Sequence, residues 1–496
     1  VHLSELLEEQ GMNFQTRPDL DITGLTADSR KVEPGFLFAA LPGAKADAKV
    51  DGRAFVEEAI KRGAGAILGP PGTVIEGSSA RLIIDSNPRR RFALLAARFY
   101  AAQPDTIAAV TGTNGKTSVA HFTRQLWTHL GHRAGYIGTL GAFAPGYELD
   151  GSLTTPDPVR LHQILAAMAK AKVSHLAMEA SSHGLHQFRI DGVRLAIGGF
   201  TNMSRDHLDY HGSMAAYIAA KLRLFSDVML PGGVAVLNAD STEFPAFDAT
   251  CRLRDHRVIS YGKTAGATLQ VTDCKITAEG QHLSLIVLGK SYRVMLPLAG
   301  AFQVANALCA LGFVLASGAD PGRAVEALGH LQGVPGRMER VGAPANGAPA
   351  QGATVYVDYA HTPDAIETVL NALRPHTQGK LVIMFGCGGD RDRGKRRLMG
   401  ERATALADVV YVTDDNPRSE EPAAIRAEIL QGAPGAIEIG DRTEAITTAI
   451  GKLDAGDVLL IAGKGHETGQ IVGDTIIHHD DREVARAVLM QQGGRA

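Results

Sequence analysis

Thr111-Gly112-Thr113-Asn114-Gly115-Lys116-Thr117-Ser118 places two glycines, a lysine and four hydroxyls in the order that suits a polyphosphate. The stretch follows an apolar run and opens an amphipathic one. In that context a glycine-rich turn can offer backbone N–H groups to phosphate oxygens. Lys116 would reach the β- and γ-phosphates of a nucleotide, and the Thr117 hydroxyl a Mg²⁺ ion. The turn is short, since only Thr113 and Asn114 separate Gly112 from Gly115-Lys116. Glu179, in Met178-Glu179-Ala180-Ser181-Ser182-His183-Gly184, ends a second apolar run. It reads either as an oxygen ligand for Mg²⁺ or as a solvated loop acid. His207 and His211 stand four apart, as in a zinc pair, but no glutamate sits between them in HExxH fashion. One histidine among oxygen ligands at a Mg²⁺ site is the better reading. By spacing alone, Lys221 in Tyr217-Ile218-Ala219-Ala220-Lys221 is a lysine on a helix surface. The last third of the chain offers four more polar loops, at Asp358–Asp364, Gly386–Arg396, Asp414–Arg418 and Gly463–Glu467. Each directly follows an apolar run. They line one crevice or are four unrelated loops.

Strands alternating with helices must position these groups. From residue 106 the chain repeats apolar run, turn and amphipathic stretch, and it does so again from about residue 354. That grammar predicts parallel sheets with helices on both faces, which present ligand loops at the strand C-termini. Residues 268–298 alternate in polarity and predict an antiparallel insert, followed by a helix over 302–317. The first hundred residues read as small mixed α/β, with helices at 3–7, 55–62 and 88–100 and strand-like runs at 21–25, 36–41 and 65–68. Breaks at Gln103-Pro104-Asp105 and Val334-Pro335-Gly336 divide the chain into 1–103, 104–333 and 334–496.

A chain of 496 residues is too long for one core and suits three domains. Hydrophobic residues make up 45% and charged residues 21%, which excludes a disordered or fibrous chain. The net charge of −3 gives no basic excess for nucleic acid or an anionic membrane. The four cysteines, at 251, 274, 309 and 387, show no C-x-x-C spacing, which points to a reducing compartment and against a zinc or redox motif. No secretory signal and no membrane span are expected, so the predicted location is cytoplasmic.

Taken in order, TGTNGKTS, MEASSHGL, NMSRDHLDYHG with YIAAK, PGRMER, DYAHTPD, GCGGDRDRGKR, DNPR and AGKGHE resemble the Mur ligase family over nearly the whole chain. The resemblance implies an α/β protein of three domains: a UDP-binding N-terminal domain, a central P-loop ATPase with a mainly parallel sheet, and a C-terminal Rossmann-like domain. It implies an ADP-forming amide-bond ligase of peptidoglycan precursor synthesis. ATP would phosphorylate the D-Glu carboxylate of UDP-N-acetylmuramoyl-L-Ala-D-Glu, and the amine of meso-2,6-diaminopimelate would attack the acyl phosphate. Magnesium is the implied cofactor, and the expected state is a monomer without nucleic acid or membrane partners.

Residue by residue, the resemblance gives Gly112 to Ser118, Asn306, Arg337 and Asp358 to ATP. Ser29, Thr154, Thr155, Ser181, Gln187 and Arg189 go to the UDP-muramoyl dipeptide. Thr117, Glu179 and His207 become Mg²⁺ ligands, and Lys221 becomes a carbamate that binds a second Mg²⁺, against its surface reading. Lys116, Lys221, Glu179 and His207 form the catalytic set. Arg391, Asp415, Asn416, Pro417, Arg418, Gly463 and Glu467 are the diaminopimelate pocket. Arg418 would take the far carboxylate in a two-pronged hydrogen bond and Glu467 the far ammonium, which a lysine substrate would leave partly unpaired. Two departures stand out. Gln303 replaces the family's asparagine, and the 43–51 stretch is longer than usual. Rival readings are a family member that adds L-lysine, a folylpolyglutamate synthase sharing the ATPase core, and a nucleotide-binding regulator without turnover.

Overall fold

Thr106–Thr111 is buried at all but its first position and apolar from Ile107 to Val110, as a strand covered on both faces must be. It lies in a computed structural model that describes residues 1–7, 19–43, 51–151, 153–341 and 352–493. The chain divides into two units, Val1–Gln270 with Leu308–Ala324 and Val271–Ala307 with Val325–Ala496.

The first unit holds two sheets. In the smaller, β1 (Gly24–Thr26), β2 (Phe36–Ala39), β3 (Ala66–Gly69) and β4 (Arg81–Ile84) run parallel in that order. The helix Pro88–Tyr100 packs against it, with Phe92, Leu95 and Ala96 in the same core as Leu37 and Leu68. Asn87 caps this helix by accepting from Arg90 N, and Pro88 takes the first helical position, where a missing N–H costs nothing. The helix expected over 55–62 is Val56–Lys61, entered through a 3-10 turn at Gly52–Phe55 because the Asp51 carboxylate captures Arg53 N. The strand expected at 21–25 is the shorter and later β1. Of the long 43–51 loop, residues 44–50 lie outside the described residues.

In the larger sheet, Thr106–Thr111 is β5. It is followed by β6 (Ala134–Gly138), β7 (Gly141–Ala144), β8 (Tyr147–Asp150), β9 (His175–Glu179), β10 (Leu195–Phe200), β11 (Val234–Asn238) and β12 (Arg257–Gly262). Their order is β12-β11-β10-β5-β9-β6-β7-β8, with all strands running the same way except β7, which is antiparallel to both β6 and β8. Because β5 sits between β10 and β9, the loops that leave these three strands open side by side. The next strand, β13 (Leu269–Ile276), joins β12 in parallel through Leu269 and Gln270. β13 also neighbours β14 (Gln281–Val287), to which the short turn Thr277–Gly280 joins it, and β14 pairs antiparallel with β15 (Lys290–Leu296), so the insert expected across 268–298 is present and, from Val271 on, lies in the second unit.

The second unit is built on β16 (Glu339–Val341), β17 (Thr354–Asp358), β18 (Leu381–Phe385), β19 (Val409–Val412), β20 (Ile437–Glu438) and β21 (Val458–Ala462), in the order β16-β17-β21-β18-β19-β20. Only β16 is antiparallel. Along β21, Val458, Leu460 and Ala462 join one core while Leu459 and Ile461 join the other, so helices cover both faces. A two-stranded hairpin, β22 (Gly469–Val472) with β23 (Thr475–His478), follows β21. Among the described residues no helix is long and apolar enough to cross a membrane.

Candidate active site

The phosphate loop is shaped by its glycines and braced by the loop after β10. Gly112 has φ +144°, and a Cβ there would stand 1.9 Å from Thr201 Oγ1, so only glycine fits. Thr113 N donates to Asn202 O at 2.9 Å, Asn114 N donates to Asn202 Oδ1 at 3.1 Å, and Thr201 Oγ1 donates to Asn114 O at 2.6 Å. The helix Lys116–His129 then starts from Gly115 in the left-handed region, without a side-chain cap. Its first N–H groups are therefore left for a ligand. Lys116 Nζ donates to Gly112 O at 3.0 Å and to Thr113 O at 2.8 Å, across the mouth of the loop.

Lys221 is not a surface residue. It is 1% exposed, and its Nζ donates to the same Gly112 O at 2.7 Å and lies 4.4 Å from the centroid of the Tyr217 ring. The spacing argument failed because the helix Met214–Arg223 packs against Ser182–His186 on the side that a helical count alone leaves unassigned. Burial first, and the Lys116 charge second, pull the Lys221 amine down to about 6. That shift favours the uncharged amine, the form that can add CO₂.

Glu179 is not a solvated loop acid either. It is 1% exposed and holds four hydrogen bonds: from Tyr136 OH at 2.6 Å, Thr139 N at 2.9 Å, Thr117 Oγ1 at 3.1 Å and Thr139 Oγ1 at 3.3 Å. The structure thus brings Thr117 and Glu179 together. His207 is placed differently. Its ring is 46% exposed, with Nε2 3.4 Å from Asp206 Oδ2 and edge contacts to His183 and Tyr217. His211 turns its Nε2 to Ser182 Oγ at 3.0 Å instead of joining His207 on a metal. Among the described residues no three His, Cys, Asp or Glu side chains converge on one point. Thr117 and Glu179 supply hard oxygen donors of the kind Mg²⁺ takes, and a carbamate on Lys221 would add another, so these residues fit the ion. Phosphate and substrate oxygens would have to complete its shell.

The residues assigned to the dipeptide form one connected set. Ser181 N and Oγ both donate to Thr155 Oγ1 at 3.0 Å, Thr155 Oγ1 donates to Glu179 O, and Thr154 Oγ1 lies 3.1 Å from Thr139 Oγ1. Ser181 Oγ also accepts from Gly184 N, which makes Ser182–His186 a short helix where a turn was expected. Arg189 donates to Thr155 O at 2.9 Å and, through two nitrogens, to Gln187 Oε1. Gln187 and Arg189 open onto a cavity of about 720 Å³ that is also lined by Lys31, Arg89 and Arg160. Four cationic side chains against the carboxylates of Asp28 and Asp157 leave its lining with a net positive charge. Ser29 is not part of the lining; its hydroxyl donates to Glu58 Oε2 at 2.9 Å. Sequence reasoning missed Arg89, although a signal was present. Arg89, Arg90 and Arg91 crowd the first turn of Pro88–Tyr100, where the helix dipole disfavours cations. Arg90 pairs with Asp191 and Arg91 with Asp85, while Arg89 lines the cavity.

In the second unit the four polar loops leave β17, β21, β18 and β19, which are neighbours in the sheet, so they meet at one end of it. Gly463, with φ +116°, would place a Cβ 2.7 Å from Asp415 Oδ2. Arg418 also has positive φ, +53°, and its Nη1 donates to Gly389 O at 2.8 Å. Asn416 Nδ2 donates to Glu467 Oε2 at 3.1 Å. The Asp415–Arg418 run, Gly463 and Glu467 are therefore joined, while Arg391 stands exposed on the β18 loop. Of the nucleotide residues, the Arg337 guanidinium lies 4.6 Å from the centroid of the Tyr359 ring. Asp358 is buried, which raises its pKa, and its two oxygens accept from Met338 N and Ala360 N at 2.7 Å. Its first role is thus to hold the β16–β17 corner. Gln303 Oε1 accepts from Asn306 Nδ2 at 2.9 Å, so the departing glutamine positions the asparagine.

Residues 21–100 match the model of the Mur ligase family catalytic domain, 110–314 that of the Mur ligase middle domain, and 336–465 that of the Mur ligase glutamate ligase domain. The chain is 52% identical over 474 residues to UDP-N-acetylmuramoyl-L-alanyl-D-glutamate–2,6-diaminopimelate ligase of Bradyrhizobium diazoefficiens, covering 95% of each. It is 53% identical over 466 residues to the protein of the same name from Caulobacter vibrioides, covering 93% of this chain and 94% of that one. A solved structure of an enzyme of that name, at 33% identity, superposes with a TM-score of 0.75 over 99% of each chain. With three family domains in order and close relatives matched end to end, the chain belongs to the Mur ligase family.

Proposed function

We propose that this chain is an ATP-dependent ligase that joins meso-2,6-diaminopimelate to the D-Glu carboxylate of UDP-N-acetylmuramoyl-L-Ala-D-Glu in the cytoplasm, acting as a monomer. The observation that carries the reading is end-to-end similarity to ligases of that name, with Asp415-Asn416-Pro417-Arg418 present in the pocket.

In this reading residues 1–103 hold the uridine nucleotide, 104–333 activate the carboxylate, and 334–496 hold the amino acid. The phosphate loop seats the ATP phosphates on its N–H groups and on Lys116. Thr117, Glu179 and the Lys221 carbamate are the residues that would hold magnesium, and His207, expected among them, would have to turn from Asp206 to join. When bound, the ion offsets the charge of phosphate and carboxylate as they approach. Arg189, Gln187, Thr155 and Ser181 orient the dipeptide. The γ-phosphoryl group passes to the D-Glu carboxylate and ADP leaves. The diaminopimelate amine then attacks the acyl carbon and releases phosphate as the amide forms. Arg418 and Glu467 select the amine donor by its far carboxylate and ammonium.

The test is phosphate release with ATP, Mg²⁺ and UDP-N-acetylmuramoyl-L-Ala-D-Glu, with meso-diaminopimelate compared against L-lysine. Turnover with only the first supports the reading. Turnover with lysine keeps the ligase chemistry and removes the specificity, and turnover with neither sinks both.

A further inference from the structure

Arg418 cannot hold its place alone. A non-glycine residue at φ +53° keeps that conformation only when its surroundings impose it. Here the surroundings are the β22–β23 hairpin. Arg418 N donates to Ile471 O at 3.0 Å, and Gly473 N donates to Arg418 O at 2.8 Å. Gln470 Nε2 donates to Asp415 O at 2.6 Å, and Ile471 N donates to Asn416 Oδ1 at 3.0 Å. The hairpin thus grips three of the four residues of the run.

Lys464 grips it from below. Its side chain is 0% exposed. Nζ donates to Asn416 Oδ1 at 3.0 Å and lies 3.7 Å from a carboxylate oxygen of Asp415 and 3.7 Å from one of Glu467. Burial alone would drive a lysine to lose its proton, and these two acids oppose that. One ammonium between two carboxylates leaves a single negative charge, which is what an incoming ammonium group needs. Without Lys464, Asp415 and Glu467 would repel each other across the pocket, and Asn416 Oδ1 would lose one of its two donors.

We propose that Lys464 and Gln470 are positioning residues for the diamino-acid substrate: Lys464 sets Asn416, Asp415 and Glu467 to receive the far ammonium, and Gln470 helps the hairpin hold Arg418 for the far carboxylate. The proposal rests on the function inferred above. Neither residue needs to touch the substrate, so their effect should fall on one Michaelis constant.

The experiment is steady-state phosphate release by the full chain, with ATP, the UDP-muramoyl dipeptide and meso-diaminopimelate each varied in turn. Lys464→Met is expected to raise KM for diaminopimelate about 30-fold, and Gln470→Ala about threefold, with the KM for ATP unchanged in both. A rise in all three constants together, with a lower melting temperature, would show Lys464 to be merely structural and overturn its assignment. Gln470 is half-buried, and its variant decides the matter if Lys464→Met does not fold. A selective rise in KM then supports the proposal, and an unchanged KM overturns it. Wild-type turnover separates the two levels. If the unmodified chain does not use diaminopimelate, the functional reading falls and takes this proposal with it. If it does and the variants match it, only the positioning role falls.

Discussion

The phosphate loop and the Arg418 pocket occupy the same place in their sheets, at the C-terminal ends of parallel strands, and treat charge in opposite ways. At the phosphate loop, Lys116 and Lys221 turn their amines to main-chain carbonyls. In the pocket, charged groups are set against charged groups: Lys464 between Asp415 and Glu467, Arg396 on Glu420 and Glu428, Arg442 on Asp481. The difference follows from the ligands each would take. A polyphosphate brings several negative charges and needs a cation, Lys116, whose present carbonyl partners are easily displaced. A zwitterion brings one charge of each sign and needs geometry, which a network of paired side chains holds more firmly than solvated ones do.

The strongest way to break the comparison is at Lys221. Lys221→Ala is expected to lower the rate of phosphate release by about 10³-fold, with partial rescue by formate or acetate standing in for the carbamate. Full activity in the variant removes the carbamate. Next in size is Arg418→Ala, which should raise KM for diaminopimelate about 100-fold and leave KM for ATP alone. An unchanged KM for the amino acid would show that the pocket does not read the carboxylate. Arg89→Ala comes third. Its side chain lines the cavity, and burial lowers its pKa without discharging the guanidinium, so KM for the UDP substrate should rise about tenfold in the variant. Equal constants in variant and wild type would assign the cavity's positive charge elsewhere.

The smallest effect concerns stability of the first unit. Burial holds His162 neutral, with its pKa lowered to about 4. Between pH 4 and the ordinary imidazole value the unfolded chain binds the extra proton, so stability rises with pH across that window and is lost as pH falls through it. His162→Gln should flatten the acid side of the melting-temperature profile by a few degrees, and a profile parallel to wild type would exclude the histidine as a cause.

Much of the fold was legible in the sequence because a buried parallel strand has to be an unbroken apolar run, and a helix has to alternate with it. Pro88–Tyr100 and the helix after the phosphate loop follow directly. Where the reading slipped, the cause was local capture of backbone groups, as when Asp51 and Ser181 drew nearby N–H groups into short helical turns. Of the candidate site, the residue types and their loops could be named in advance, but the positioning roles of Lys464 and Gln470 could not. Their partners lie far along the chain: Gln470 meets Asp415 and Lys464 meets Asn416.

By itself, then, the sequence determined which loops follow which strands and which of them carry glycine, lysine and carboxylate, since those depend on local periodicity and residue chemistry. Only the tertiary structure decided that Lys221 is buried and Ser29 is turned to Glu58, that Glu179 meets Thr117, and that a hairpin and a buried lysine hold Arg418 in place. Burial and charge pairing depend on what the rest of the chain packs against a residue, and no spacing along the chain encodes that.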